Sequence, residues 1–168
     1  MIFMTRRDFS ESKNRAPDYK AALHRAAALC SSQEQCTEHI REKLRGWSVS
    51  DADAERIIKH LLKENFLDDQ RYAIHFAKDK FRFNRWGKIK ISHMLRQKRI
   101  SSESIEKAID QIDEIAYFQV CADLIRNKSN TLKDKNQFAR KAKLFRFASG
   151  RGFESDLIHR ILNMEEND

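Results

Sequence analysis

The chain has 168 residues and a mass of 19.9 kDa, room for one ordinary domain or for a few small repeated units. It carries 33 Lys and Arg against 25 Asp and Glu, a formal net charge of +8, with a pI near 9.5. Four Gly and one Pro are too few for the turns that all-β domains need every ~8–12 residues, so sandwiches, barrels and Gly-rich nucleotide folds are excluded and the chain reads as all-α.

Taken in chain order, the mixed polarity up to Pro17 reads as a flexible N-terminal arm. Ser31 with Glu34 three residues on has the form of a capping box, which predicts one helix ending near Cys30 and another beginning at Ser32. In the second helix Cys36, Ile40 and Leu44 form an apolar stripe, and Gly46 stops it. Ser50 caps a third helix carrying Ala54, Ile57, Ile58, Leu61 and Leu62. Asn65 and Phe66 leave that helix, and Asp68 or Asp69 opens the next, with Tyr72, Ala73, Phe76 and Ala77 inward.

The pattern then repeats. At an offset of 51, Leu23 meets Ile74, Ala26 meets Ala77, Ile40 meets Ile91, Leu44 meets Leu95, and Val49-Ser50 meets Ile100-Ser101. At a further 53, Ile91 meets Leu144, Ile100 meets Phe153, Ile105 meets Ile158 and Ile109 meets Leu162. A run of matches that keeps helix, turn and helix in order predicts three tandem three-helix repeats. The expected division is an arm at 1–17, repeats at 18–67, 68–115 and 116–163, and an acidic tail at 164–168. Such repeats stacked in a row predict an elongated, curved molecule with nearest-neighbour interfaces.

Charge is concentrated in two blocks. Residues 78–99 hold nine basic side chains and one acidic, Asp79, a local net of +8; residues 126–151 hold nine against Asp134, again +8. The segment 100–125 between them is −5. Basic blocks suit a polyanion, because each phosphate contact releases a condensed counterion. On charge alone, the candidate contacts are Arg82, Arg85, Lys88, Lys90, Arg96, Lys98 and Arg99, then Arg140, Lys141, Lys143, Arg146 and Arg151. Of the interleaved aromatics, Phe81 and Trp86 are read as structural, while Phe83 is open between core packing and stacking on single-stranded bases. In the second block Phe138, Leu144, Phe145 and Ala148 read as an inward stripe, with Arg140, Lys141, Lys143 and Arg146 outside.

Nothing in the residues asks for catalysis. No phosphate loop, dinucleotide fingerprint or nucleophile elbow occurs, and Asp68-Asp69 reads as a helix cap rather than an acid pair. Cys30, Cys36 and His39 lack the spacing of a structural zinc pair, so no metal and no cofactor are expected. No run approaches the roughly 18 uninterrupted apolar residues of a membrane span. The opening residues lack a continuous apolar stretch, so no secretory signal is read there. An odd count of three cysteines points to free thiols in a reducing compartment, and the expected location is cytoplasmic.

The run Phe66-Leu67-Asp68-Asp69-Gln70-Arg71-Tyr72-Ala73 resembles a signature of the RecX family of recombination regulators. Trp86-Gly87-Lys88-Ile89-Lys90-Ile91, with Leu95 and the turn Lys98-Arg99-Ile100-Ser101, is similar to the same family, as is Arg151-Gly152-Phe153 with Ile158. The resemblance spans roughly residues 20–162. It implies tandem three-helix repeats, no catalytic site and no cofactor. It further implies a monomer that binds the RecA recombinase, lodges in the groove of its filament on single-stranded DNA, and restrains filament extension and the RecA ATPase and co-protease activities. Direct contact with single-stranded DNA is part of that expectation. Two other readings stay open: a stand-alone single-stranded nucleic-acid binder, and a helical scaffold for an unrelated acidic protein.

Overall fold

The computed structural model describes residues 17–133 and 136–164. The N-terminal arm, apart from Pro17, and the acidic tail beyond Met164 lie outside the described residues. Nine α-helices and no strand occur among those described: α1 (Tyr19–Ser32), α2 (Thr37–Gly46), α3 (Asp51–Lys63), α4 (Asp69–Asn84), α5 (Lys88–Gln97), α6 (Ser102–Ile109), α7 (Glu114–Thr131), α8 (Gln137–Gly150) and α9 (Ser155–Met164). The all-α class expected from composition is the class observed. No helix among the described residues is long and apolar enough to cross a membrane.

The described residues divide into two compact units, one up to Asp68 and the other from Asp69 on. In the first, α1, α2 and α3 pack on one another around Ala22, Ala26, Ile40, Leu44, Ala54, Ile57, Ile58 and Leu61, with Val49 and Leu67 closing the ends. Two alanines on the inner face of α1 leave room for the branched chains of α2 and α3 to approach. The second unit holds two further trios: α4 packs on α5 and α6, and α7 on α8 and α9. Their cores repeat the first, with Ile91, Leu95, Ile100, Ile105 and Ala108 in one and Leu144, Ala148, Phe153, Ile158 and Ile161 in the other.

The repeat is written in the backbone as well as in the side chains. Ser48, Arg99 and Gly152 stand at the sequence offsets of 51 and 53 and share the left-handed conformation, with φ of 60°, 57° and 90°. Each is followed by an apolar residue whose N–H donates to a carbonyl five residues back: Val49 to Leu44 at 3.1 Å, Ile100 to Leu95 at 3.2 Å, Phe153 to Ala148 at 3.3 Å. This is the helix-ending motif that satisfies orphan carbonyls while turning the chain. Ser50 and Ser101 then cap the next helix, their hydroxyl oxygens accepting from the Asp53 and Ser104 N–H groups at 3.2 Å.

Two details differ from the sequence reading, at Ser31 and at Phe138. Ser31 and Ser32 open no helix: their hydroxyls donate back to the Ala27 and Leu29 carbonyls at 3.0 and 2.8 Å. So α1 runs on to Ser32, and α2 starts at Thr37 behind Cys36, which is buried but makes no side-chain cap. A serine can bond carbonyls behind it as readily as N–H groups ahead, and the hydrophobic register decides between them. Leu62 lies outside the core at 43% exposed, because Ile57, Ile58 and Leu61 already fill the inner face of α3. Phe138 is 83% exposed, because the inward stripe of α8 begins only at Leu144.

Serine caps and serine back-bonds predict different costs. Ser50→Ala and Ser101→Ala should each lower stability by about 1 kcal/mol, whereas Ser31→Ala should stay within about 0.5 kcal/mol of the parent. Urea unfolding followed by circular dichroism reads both; an equal loss at Ser31 would restore the capping box.

Candidate functional site

The start of α5 has no side-chain cap of its own, since Gly87 occupies the cap position. Its first N–H groups are instead met by the third trio. Gly87 N–H donates to the Arg151 carbonyl at 2.8 Å, Lys88 N–H to the Tyr117 hydroxyl oxygen at 2.9 Å, and Ile89 N–H to the Gly152 carbonyl at 3.1 Å. The Tyr117 hydroxyl in turn donates to Glu154 Oε2 at 2.7 Å. The Tyr117 ring lies 5.8 Å from Phe81 and 5.1 Å from Phe153, centre to centre, so Phe81 is structural as expected. Two glycines permit this approach. A Cβ on Gly87 would stand 2.1 Å from the Gly152 oxygen, and one on Gly152 would stand 2.3 Å from the Lys90 Cβ.

Around this seam the two basic blocks, far apart in sequence, come together. The Arg151 guanidinium donates to the Asn84 carbonyl at 3.1 Å, across 67 residues, and lies 5.5 Å from the Phe147 ring centre. Lys128 shares that ring at 5.6 Å. On the other side, Trp86 is half-buried and carries two ammonium groups, Lys90 at 4.6 Å and Lys80 at 5.4 Å from its centre. Arg82 and Arg85 are exposed beside them, and Phe83 is 73% exposed with the Arg82 guanidinium 5.8 Å from its ring. Phe83 therefore takes no part in the core. Cations held over rings are positioned before any partner arrives, which lowers the entropy lost on binding.

Of the candidates, Lys90 and Arg151 stand at the seam, and Arg82 and Arg85 are exposed on the segment that leads into it. Lys88 is also there, but its ammonium is engaged by the Glu114 carboxylate and lies 4.7 Å from the Tyr117 ring. Arg96, Lys98 and Arg99 sit at the far end of α5, roughly 15 Å along a ten-residue helix. Lys98 there stands 5.8 Å from the Tyr72 ring.

Arg140 was expected outside but turns inward. It donates to the Leu132 and Ser129 carbonyls at 3.1 and 2.8 Å and to Ser129 Oγ at 2.7 Å, closing the end of α7. Lys141 and Arg146 border a groove between α8 and α9, and Lys143 is exposed. Lys80 and Lys128 join the cluster without having been singled out, since no local pattern distinguishes them from other helix-surface lysines.

Burial holds the Tyr117 hydroxyl well above the ordinary tyrosine range, and its bond to Glu154 acts the same way. Burial, with the Glu154 charge nearby, also pushes the Cys121 thiol up to about 12. These groups are structural. Among the described residues no three His, Cys, Asp or Glu side chains are grouped to hold a metal ion, and His39 lies 4.0 Å from Glu42.

Three-helix units, the second and third joined at a cationic and aromatic seam, define an all-helical protein built from repeats. Family models agree with that class: residues 68–109 match the second three-helix domain of RecX, and residues 115–162 match the third. The chain is 31% identical to the regulatory protein RecX of Prosthecochloris aestuarii over 146 residues, 87% of this chain and 94% of that one. It is likewise 31% identical to that of Salmonella typhimurium over 162 residues, covering 90% and 96%. A crystal structure of RecX from Lactobacillus salivarius superposes with a TM-score of 0.81 at 18% identity, over 90% of this chain and 98% of that one, and shares the fold. The chain belongs to the RecX family of regulatory proteins, which is non-enzymatic.

Two measurements test the seam. Gly87→Ala and Gly152→Ala should each cost roughly 2 kcal/mol or more, whereas Gly150→Ala, with nothing within 4 Å of the added methyl, should be neutral or slightly stabilising. Tyr117→Phe should cost about 1–3 kcal/mol by orphaning the Lys88 N–H and the Glu154 carboxylate. An unfolded tyrosine ionises near pH 10, and the raised folded value keeps Tyr117 neutral there. Its stabilisation is thus complete below that pH and declines above it. Unfolding of the parent from pH 8 to 11 should show this alkaline decline, and the phenylalanine variant should lack the Tyr117 share of it.

Proposed function

We propose that this chain is a monomeric, cytoplasmic regulator of the RecA recombinase. It seats in the groove of the RecA filament on single-stranded DNA, touches successive protomers with its repeats, and limits filament extension and RecA activities. Family membership over most of the chain carries this reading. The partition into repeats at 18–67, 68–115 and 116–163 is the working frame, each repeat supplying a weak contact. Linked weak contacts gain through effective concentration, so a few inhibitor molecules suffice at a growing filament end.

Within that frame the seam cluster is the phosphate-facing surface. Lys90 lies against Gly152 there and Arg151 reaches the Asn84 carbonyl, with Lys80, Arg82, Arg85 and Lys128 on the adjoining segments, and the exposed ring of Phe83 offers a stacking face beside Arg82. Arg96, Lys98 and Arg99, and separately Lys143, extend the positive field away from the seam. Lys88 and Arg140 hold the fold, so their loss weakens function through stability rather than through contact.

The deciding measurement is RecA ATPase on single-stranded DNA at substoichiometric amounts of this protein. Strong inhibition is expected. Arg82→Glu with Arg85→Glu should weaken both inhibition and direct DNA affinity by about tenfold or more and flatten the salt dependence of binding, while Lys143→Glu should do much less. Tight DNA binding with ATPase unaffected at every ratio would favour a stand-alone single-strand binder.

A further inference from the structure

On the third trio, away from the seam, α8 and α9 enclose a groove of about 440 Å³ lined by Phe138, Lys141, Ala142, Phe145, Arg146, His159, Leu162 and Asn163. Its floor is Ala142, Leu162 and the Phe145 ring, which is packed 4.9 Å from His159. One wall is Phe138, at 83% exposed the most open large apolar side chain among the described residues. Phe138 lies in the first turn of a helix already capped by Asn136, whose side-chain oxygen accepts the Ala139 N–H at 3.0 Å. Neither the cap nor the core uses its ring.

We infer that this groove is a docking site for an acidic amphipathic segment of a partner protein, one that places a bulky apolar side chain against Phe138, Phe145 and Leu162 and carboxylates beside Lys141 and Arg146. The apolar lining selects the anchor, since burying such a side chain is favourable in proportion to the area removed from water. The border selects the charge, because Arg146 is exposed there and no carboxylate among the described residues lines the groove. The lining also speaks against a nucleobase. A base edge would bring several donors and acceptors to a groove whose lining is largely apolar, and unmet polar groups are costly to bury. A short helix with apolar residues one turn apart matches such a groove, as in other helix-in-groove contacts. This surface is separate from the seam, so the inference does not rest on how the seam meets DNA.

The test uses the full chain and a labelled acidic peptide with Leu and Phe one helical turn apart, titrated by fluorescence anisotropy. Saturable binding is expected, together with chemical-shift changes at Ala142, Phe145 and Leu162. A peptide of equal charge with Ser in place of Leu and Phe should bind at least about tenfold more weakly. Phe138→Ala should weaken the acidic peptide to a similar degree with an unchanged thermal melt, since the side chain is solvent-facing. Lys141→Glu with Arg146→Glu should weaken binding and remove its salt dependence. The inference is overturned by equal affinity for the Ser peptide, by indifference to Phe138→Ala, by an oligonucleotide shifting the groove resonances in the peptide's place, or by self-association of the chain through Phe138.

Discussion

A helix leaves its first N–H groups unpaired, and α5 meets this requirement with atoms from another repeat. Arg151, Gly152 and Tyr117 supply the acceptors that a Ser, Thr or Asp cap would provide elsewhere. Much else in the second unit follows from that dependence. Gly87 and Gly152 are needed because backbone must touch backbone; Ser48 and Arg99 hold the same left-handed turn with side chains, so the turn alone does not demand glycine at 152. Tyr117 is buried because its hydroxyl must reach Lys88 N–H, and Glu154 is placed to accept the hydrogen bond that hydroxyl donates. The second and third trios are coupled through this cap, and each would leave polar groups stranded without the other.

The last repeat solves the same problem alone. There α8 begins earlier relative to the repeat than α5 does and is fourteen residues long against ten. Its N–H groups are met by its own Asn136, while Arg140 reaches back to close the end of α7. Interior repeats in stacked architectures lean on neighbours, and terminal ones carry polar closures. The extension that makes this closure also carries Phe138 out into solvent, which opens the groove between α8 and α9.

The cap also concentrates charge. Bringing Asn84 to Arg151 brings the end of one segment of net +8 against the interior of the other, an arrangement that self-repulsion opposes. The rings of Trp86 and Phe147 offset part of this by holding Lys80, Lys90, Lys128 and Arg151 over their faces. A polyanion at this surface would relieve the remainder.

Periodicity is local, and what depends on it could be read from the residues alone. Ile40, Ile91 and Leu144 occupy equivalent core positions, Ser50 and Ser101 cap as their spacing implies, and the all-helical class follows from the shortage of turn formers. Where two local choices were both available, packing decided: Ser31 bonds backward, Arg140 folds inward onto carbonyls, and Phe138 points out because α8 starts before its buried stripe. The basic blocks were visible as composition, but their meeting was not. It rests on Gly87 lying against Gly152, a contact between distant segments that no short-range pattern encodes.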